Sequence, residues 1–183
     1  MRGVAPCLFA LVGLCFTQSS ATAGSVSDAL ASFGLIGNWS PNCAQDPNDP
    51  NSREEGGKLP VRWTYSLEGW SSGMLTKKMR TSIGLNVSRQ ELQQAQKITA
   101  DKIKYTTLVV SFQSGNGLEQ KSRHASTTSV VQMANDKITV VSEVTGDGFI
   151  YVENGMLIIR MPKDGQLVET NRTPFGMFER CLN

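Results

Sequence analysis

From Leu59 onward, apolar and polar residues alternate in short runs separated by turn residues, the pattern of strands that keep one face inward. The runs are Val61–Leu67, Met74–Ser82, Glu91–Ile98, Ile103–Gln113, Glu119–Met133, Ile138–Thr145, Phe149–Glu153 and Met156–Met161. Alternation is clearest where Ile138, Val140, Ser142 and Val144 oppose Thr139, Val141 and Glu143. The punctuation agrees: Ser114-Gly115-Asn116-Gly117, Asn135-Asp136, Gly146-Asp147-Gly148, Asn154-Gly155 and Asp164-Gly165 all favour tight turns. Residues 90–100 are ambiguous, because Glu91 to Lys97 are good helix formers and a helix would bring Leu92, Ala95 and Ile98 onto one face.

Before this series, Ser25 to Leu35 predicts a short helix. Ser25 or Ser27 serves as its cap, Asp28 sits in its first turn, and Ala29, Leu30 and Phe33 form an apolar stripe. Ile36 to Ser40 reads as a first strand, and Pro41 to Pro60 as a long loop, either a mobile flap or an ordered cover. Strands in sequence with hairpin-length turns form an up-and-down antiparallel meander. A meander of about eight or nine strands removes its exposed edges by closing into a barrel. The expectation is therefore an all-β barrel with a short N-terminal helix, with a two-sheet sandwich as the alternative.

The first 23 residues change the picture of the compartment. Arg2 precedes an apolar run from Val4 to Phe16, and polar, small residues follow to Ala21-Thr22-Ala23, the order of a cleavable signal peptide. That divides the chain into a signal at 1–23 and a single domain at 24–183, secreted or periplasmic. The apolar run is shorter than the roughly 20 residues that span a bilayer, so no transmembrane segment is expected. Cleavage removes Cys7 and Cys15 and leaves Cys43 and Cys181, a pair that an oxidising compartment would join as a disulfide. The 18 basic and 16 acidic residues of the whole chain are interspersed, giving a net charge of +2 and no basic footprint for nucleic acid.

Gly37-Asn38-Trp39 on the first strand, behind a short helix and ahead of a β-meander, resembles the opening of the lipocalin-like (calycin) barrels. The resemblance implies that Trp39 plugs a closed barrel floor beside Gly37, with a C-terminal arginine, Arg180 or Arg172, packed across it. The threonine-aspartate-tyrosine turn of many lipocalins is replaced here by Gly146-Asp147-Gly148. The chain is also similar to small exported proteins of alphaproteobacteria in its opening, Gly37-Asn38-Trp39 to Cys43, and its ending, Thr173-Pro174 to Glu179-Arg180-Cys181. That second resemblance supports the Cys43–Cys181 pairing and brings no activity with it.

Catalytic chemistry finds little footing. His124 is the single histidine, without a nucleophile elbow or carboxylate partner nearby in sequence. Glu54-Glu55 reads as solvated loop charge, and the prolines within Asp46-Pro47-Asn48-Asp49-Pro50-Asn51 break the spacing of a calcium loop and favour a stiffened turn. No metal site and no cofactor are expected. Aromatic residues remain: Trp63, Tyr65 and Trp70 cluster at the second strand, with Tyr105, Phe112, Phe149 and Tyr151 on later ones. In a barrel with an open mouth, Trp63, Tyr65, Tyr105, Phe112, Phe149 and Tyr151 would line a site for a small apolar ligand or lipid. The leading expectation is a non-enzymatic binding barrel. Its rival is a protein-interaction module, an inhibitor or an envelope-complex accessory, that meets an envelope protein partner through a sheet edge or the 41–60 loop. An enzyme with an unrecognised site is the third class.

Overall fold

The computed structural model describes residues 25–56, 59–68, 72–115, 117, 119–120, 125–146 and 150–182. The expected signal peptide, Trp70, His124 and Phe149 lie outside the described residues. In chain order the elements are α1 (Val26–Phe33), β1 (Gly37–Ser40), β2 (Val61–Glu68), β3 (Ser72–Thr81), β4 (Gly84–Lys97), β5 (Lys102–Gln113), β6 (Glu119–Gln120), β7 (Ser126–Ala134), β8 (Lys137–Thr145), β9 (Ile150–Glu153), β10 (Met156–Lys163), β11 (Gln166–Pro174) and β12 (Phe178–Cys181).

Eight of these strands close an antiparallel barrel in the order β1-β2-β3-β4-β5-β7-β8-β12, and β12 returns to pair with β1. The hairpins are set by local chemistry. Asn135-Asp136, Asn154-Gly155 and Asp164-Gly165 all take positive φ, the two-residue turn whose twist matches that of paired strands. Strand β8 divides its outer edge, pairing with β12 through Lys137 and Ile138 and with β9 through Ser142 to Val144. From that split, β9, β10 and β11 leave the barrel as a three-stranded extension.

Several element boundaries differ from the alternation pattern. The run read as Glu119–Met133 is two strands, β6 and β7, with Ala125 between them bonding back across β5 through Val109. Strand β4 begins at Gly84 rather than Glu91, because Ser82-Ile83 make the tight turn. Gly84 belongs there because an added Cβ would lie 2.1 Å from the Gly115 carbonyl oxygen. Strands β11 and β12 lie beyond the last predicted run. Residues 90–97 are strand, and a bulge explains their helical spacing: Leu92 pairs with Thr107 and Gln94 with Thr106, leaving Gln93 unpaired. The extra residue brings Leu92 and Ala95, three apart, onto the same inward face.

One end of the barrel is sealed. The Ser25 hydroxyl accepts from the Asp28 amide and the Asp28 carboxylate accepts back from the Ser25 amide, so α1 starts with both bonds of a capping box. Leu30 and Phe33 of α1 pack with Leu35, Trp39, Leu75, Leu92, Ile103, Val131, Ile138 and Val140 in one buried cluster. Lys97 of β4 donates 2.8 Å to the Ser32 carbonyl, placing a cation at the C-terminal end of a helix that has no basic residue in its own last turn. Among the described residues no helix is long and apolar enough to cross a membrane.

The described part of the 41–60 segment lies as a strap on the outer face of β2 and β3 rather than a flap over the barrel. Arg62 donates to the Gln45 carbonyl, Lys78 to the Asn48 side-chain oxygen, and Arg80 to the Pro47 and Asn48 carbonyls. Its aspartates are spent on turns, Asp46 accepting from the Asn48 amide and Asp49 from the Asn51 amide. Cys43 at the start of the strap is bonded to Cys181 at the end of β12, across 138 residues of sequence and beside the seam that closes the barrel.

Candidate functional site: the open end of the barrel

Gly37, Trp39 and Arg180 meet at the sealed end. Trp39 is fully buried and its indole N–H donates 2.8 Å to the Leu35 carbonyl. The Arg180 guanidinium lies 4.4 Å from the Trp39 ring centroid and donates to the carbonyls of Ile36, at 2.8 Å, and of Gly34. Gly37 has φ of +130°, and an added Cβ would sit 3.1 Å from the Arg180 guanidinium. Arg172, the other arginine considered for this place, pairs instead with Glu169 on the exposed hairpin of β10 and β11.

Above this floor, two polar ties cross the lumen between strands that are not neighbours. Tyr65 of β2 and Tyr105 of β5 share a hydrogen bond of 2.7 Å between their hydroxyls, ring edge toward ring face, both fully buried. Burial pushes the Tyr65 phenol well above the ordinary tyrosine range, and the neighbouring Tyr105 adds to the shift. Burial raises Tyr105 as well, with the Glu143 carboxylate adding to it. The second tie joins Lys77 of β3 to both carboxylate oxygens of Glu143 of β8 at 3.0 Å. Ser129 of β7 donates to the same carboxylate at 2.9 Å, and the Lys77 ammonium stands 4.2 Å from the Trp63 ring centroid.

Beyond the Lys77–Glu143 tie the lumen opens into a cavity of about 860 Å³, within the range of small-molecule sites. Its walls are mostly apolar: Val61 and Trp63 of β2, Met79 of β3, Phe112 of β5, Leu157 of β10, and Phe175 and Phe178 around the final turn. Trp63 stacks at a tilt on Phe178, 4.6 Å between centroids, and on Phe175 at 5.8 Å. Lys77, Glu143 and Ser88 form the polar patch of the lining nearest the ties, and Met177 stands exposed at the rim.

Of the aromatic residues expected to line a site, Trp63 and Phe112 do so. Tyr65 and Tyr105 lie below the cavity in the partition. Tyr151 is displaced from it altogether: on β9 of the extension, its hydroxyl accepts from Arg160 at 2.8 Å and that guanidinium covers its ring. Alternation along the chain missed Lys77, Glu143, Phe175 and Phe178. Lys77 shares its strand face with the buried Leu75 and with Met79, so spacing by two would have placed it inward. Glu143 was hidden by a bulge: Val130 pairs with Ser142 and Val131 with Val140, so Val141 is the extra residue. Ile138 and Val140 face inward below it and Glu143 faces inward above it, against the simple alternation. Phe112 enters the lumen in the same way, past an unpaired Val110 between the Gln90–Val109 and Arg89–Ser111 pairs.

The chain matches no protein-family model, no curated protein and no solved structure.

Proposed function

We propose that this chain is an exported, non-enzymatic barrel of lipocalin-like type that binds a small apolar ligand or lipid in the open half of its lumen. The single observation that carries the reading is the cavity itself, about 860 Å³ of largely apolar lumen held open above a hydrogen-bonded partition. A barrel selected only for stability would fill that volume with side chains, because packed interiors leave few voids larger than a water molecule. The lipocalin likeness is supported by the Gly37, Trp39 and Arg180 floor and by the helix that closes it. Export is supported by the leader pattern of residues 1–23 and by the disulfide, which suits an oxidising compartment. Native mass spectrometry of protein purified from its own host tests the binding reading. A retained small molecule that Trp63→Ala releases is the expected result. Protein that carries nothing, and that takes up no alkyl probe when challenged, overturns it.

A protein-interaction role has one observation of its own. Strand β11 ends the sheet with its outer edge unpaired by any described strand, and Leu167 and Val168 on it are exposed. Crosslinking in intact cells through that strand tests this second reading, which fails if no protein partner is recovered.

A further inference from the structure

The polar patch of the cavity specifies more than apolarity. We infer that the cavity takes an amphiphile whose inward end is neutral and hydroxyl-bearing, in preference to a carboxylate or an amine. The inference rests on the binding reading above and deepens it.

The valences at the patch decide this. Lys77 has three N–H bonds; two are taken by Glu143 and its cationic face is turned on the Trp63 ring. It has no donor to spare for a ligand anion. An incoming carboxylate at this end would also be placed beside the Glu143 carboxylate, where like charges repel. An incoming ammonium would meet Lys77, and Glu143 is already neutralised by that lysine and bonded by Ser129. What remains is a matched pair of neutral requirements. Each Glu143 oxygen accepts from Lys77, but Oε1 takes no second donor among the described residues, which leaves it room for one. Ser88, the cross-strand partner of Lys77, accepts from the Gln90 amide at 3.1 Å, and its own O–H has no acceptor among the described residues. An alcohol hydroxyl has both a proton to donate to Glu143 and lone pairs to accept from Ser88. An acid or an amine cannot do both without bringing a charge the patch repels.

The test compares 1-hexadecanol, hexadecanoate and hexadecylamine, which share one alkyl chain, by displacement of a fluorescent alkyl probe at neutral pH. The alcohol is expected to bind at least about tenfold more tightly than either charged partner. Equal or tighter binding of hexadecanoate or hexadecylamine overturns the inference while leaving the cavity reading intact, whereas failure of all three overturns both. Glu143→Gln removes the negative charge and frees Lys77, so the preference should swing to hexadecanoate; an unchanged order overturns the inference. Ser88→Ala disturbs no ion pair and serves if that variant does not fold. It should weaken the alcohol about threefold to tenfold and leave hexadecanoate unchanged, and no loss with the alcohol counts against the assignment.

Discussion

The two halves of the lumen are built from the same strands and solve opposite problems. In the sealed half, alternation runs without interruption on β2 and β3, most large inward side chains are apolar, the buried Gln90 is satisfied by Thr107, and α1 covers the opening. In the open half the inward positions carry Lys77, Ser88 and Glu143 beside Trp63 and Phe112, and bulges at Val110 and Val141 decide which residues reach the lumen. The difference teaches that the packed core and the cavity are separated along the barrel axis, with the Tyr65–Tyr105 and Lys77–Glu143 ties as the partition. The polar groups at the base of the open half satisfy one another.

If that separation holds, damage to the seal should cost far more stability than damage to the mouth. The largest effect is expected from removing the disulfide with Cys43→Ser and Cys181→Ser. A bond closing 138 residues contributes up to about 5 kcal/mol in the chain-entropy model, and the β1–β12 seam beside it is paired over three positions. Urea titration should show the midpoint fall steeply; a shift under about 1 kcal/mol would mean that the seam closes without its staple.

Next comes Trp39→Ala, expected to cost about 4 kcal/mol from the lost burial and cavity alone, before the Arg180 contact and the Leu35 hydrogen bond are counted. The matching change at the mouth, Met79→Ala, removes a side chain that is 38% exposed and should cost under about 1 kcal/mol while weakening uptake of an alkyl probe. Similar losses for the two variants would break the comparison. Between them stands the partition. Tyr65→Phe leaves the buried Tyr105 hydroxyl without that partner and should cost about 1 to 1.5 kcal/mol, measured in the same titrations. The raised phenols add an optical check: neither Tyr65 nor Tyr105 should contribute phenolate absorbance near pH 10, where free tyrosine ionises, until the barrel unfolds.

This division also explains what was readable in the chain. The sealed half mostly follows rules visible in one dimension: period two on β2 and β3, Asn135-Asp136 at a hairpin, and a capping serine with Asp28 on the helix. The β-barrel and the Cys43–Cys181 bond could therefore be anticipated. The open half depends on bulges, and one unpaired residue inverts every inward position after it. Val141 put Glu143 on the wrong face of the sequence pattern and Val110 did the same for Phe112, while in the sealed half the Gln93 bulge gave a strand the spacing of a helix. Strand β12 was invisible for another reason: Phe178 to Cys181 is four residues long, and it is a strand because β1 and β8 lie on either side of it.

The smallest expected effect concerns the strap, whose first residues, Pro41 and Asn42, border the cavity. Asp46 holds the strap's turn. Its carboxyl lies below the ordinary range chiefly because it accepts from the Asn48 amide; desolvation opposes this, and the Asn48 side chain, Arg62 and Lys78 add to the lowering. A depressed folded value contributes stability that is present above the unfolded value of about 3.9 and is lost as pH falls through the folded one. Because the group is mostly solvated, the contribution is under about 1 kcal/mol, too small to unfold a barrel stapled at its seam. Acidification should therefore loosen the strap first: amide hydrogen exchange at Asn48 should rise below about pH 4 while β3 and β5 stay protected. Asp46→Asn should remove the pH dependence of that exchange. If the strap and the barrel instead lose protection together, the strap is part of the sealed structure, and the boundary between the packed half and the open half must be redrawn to include it.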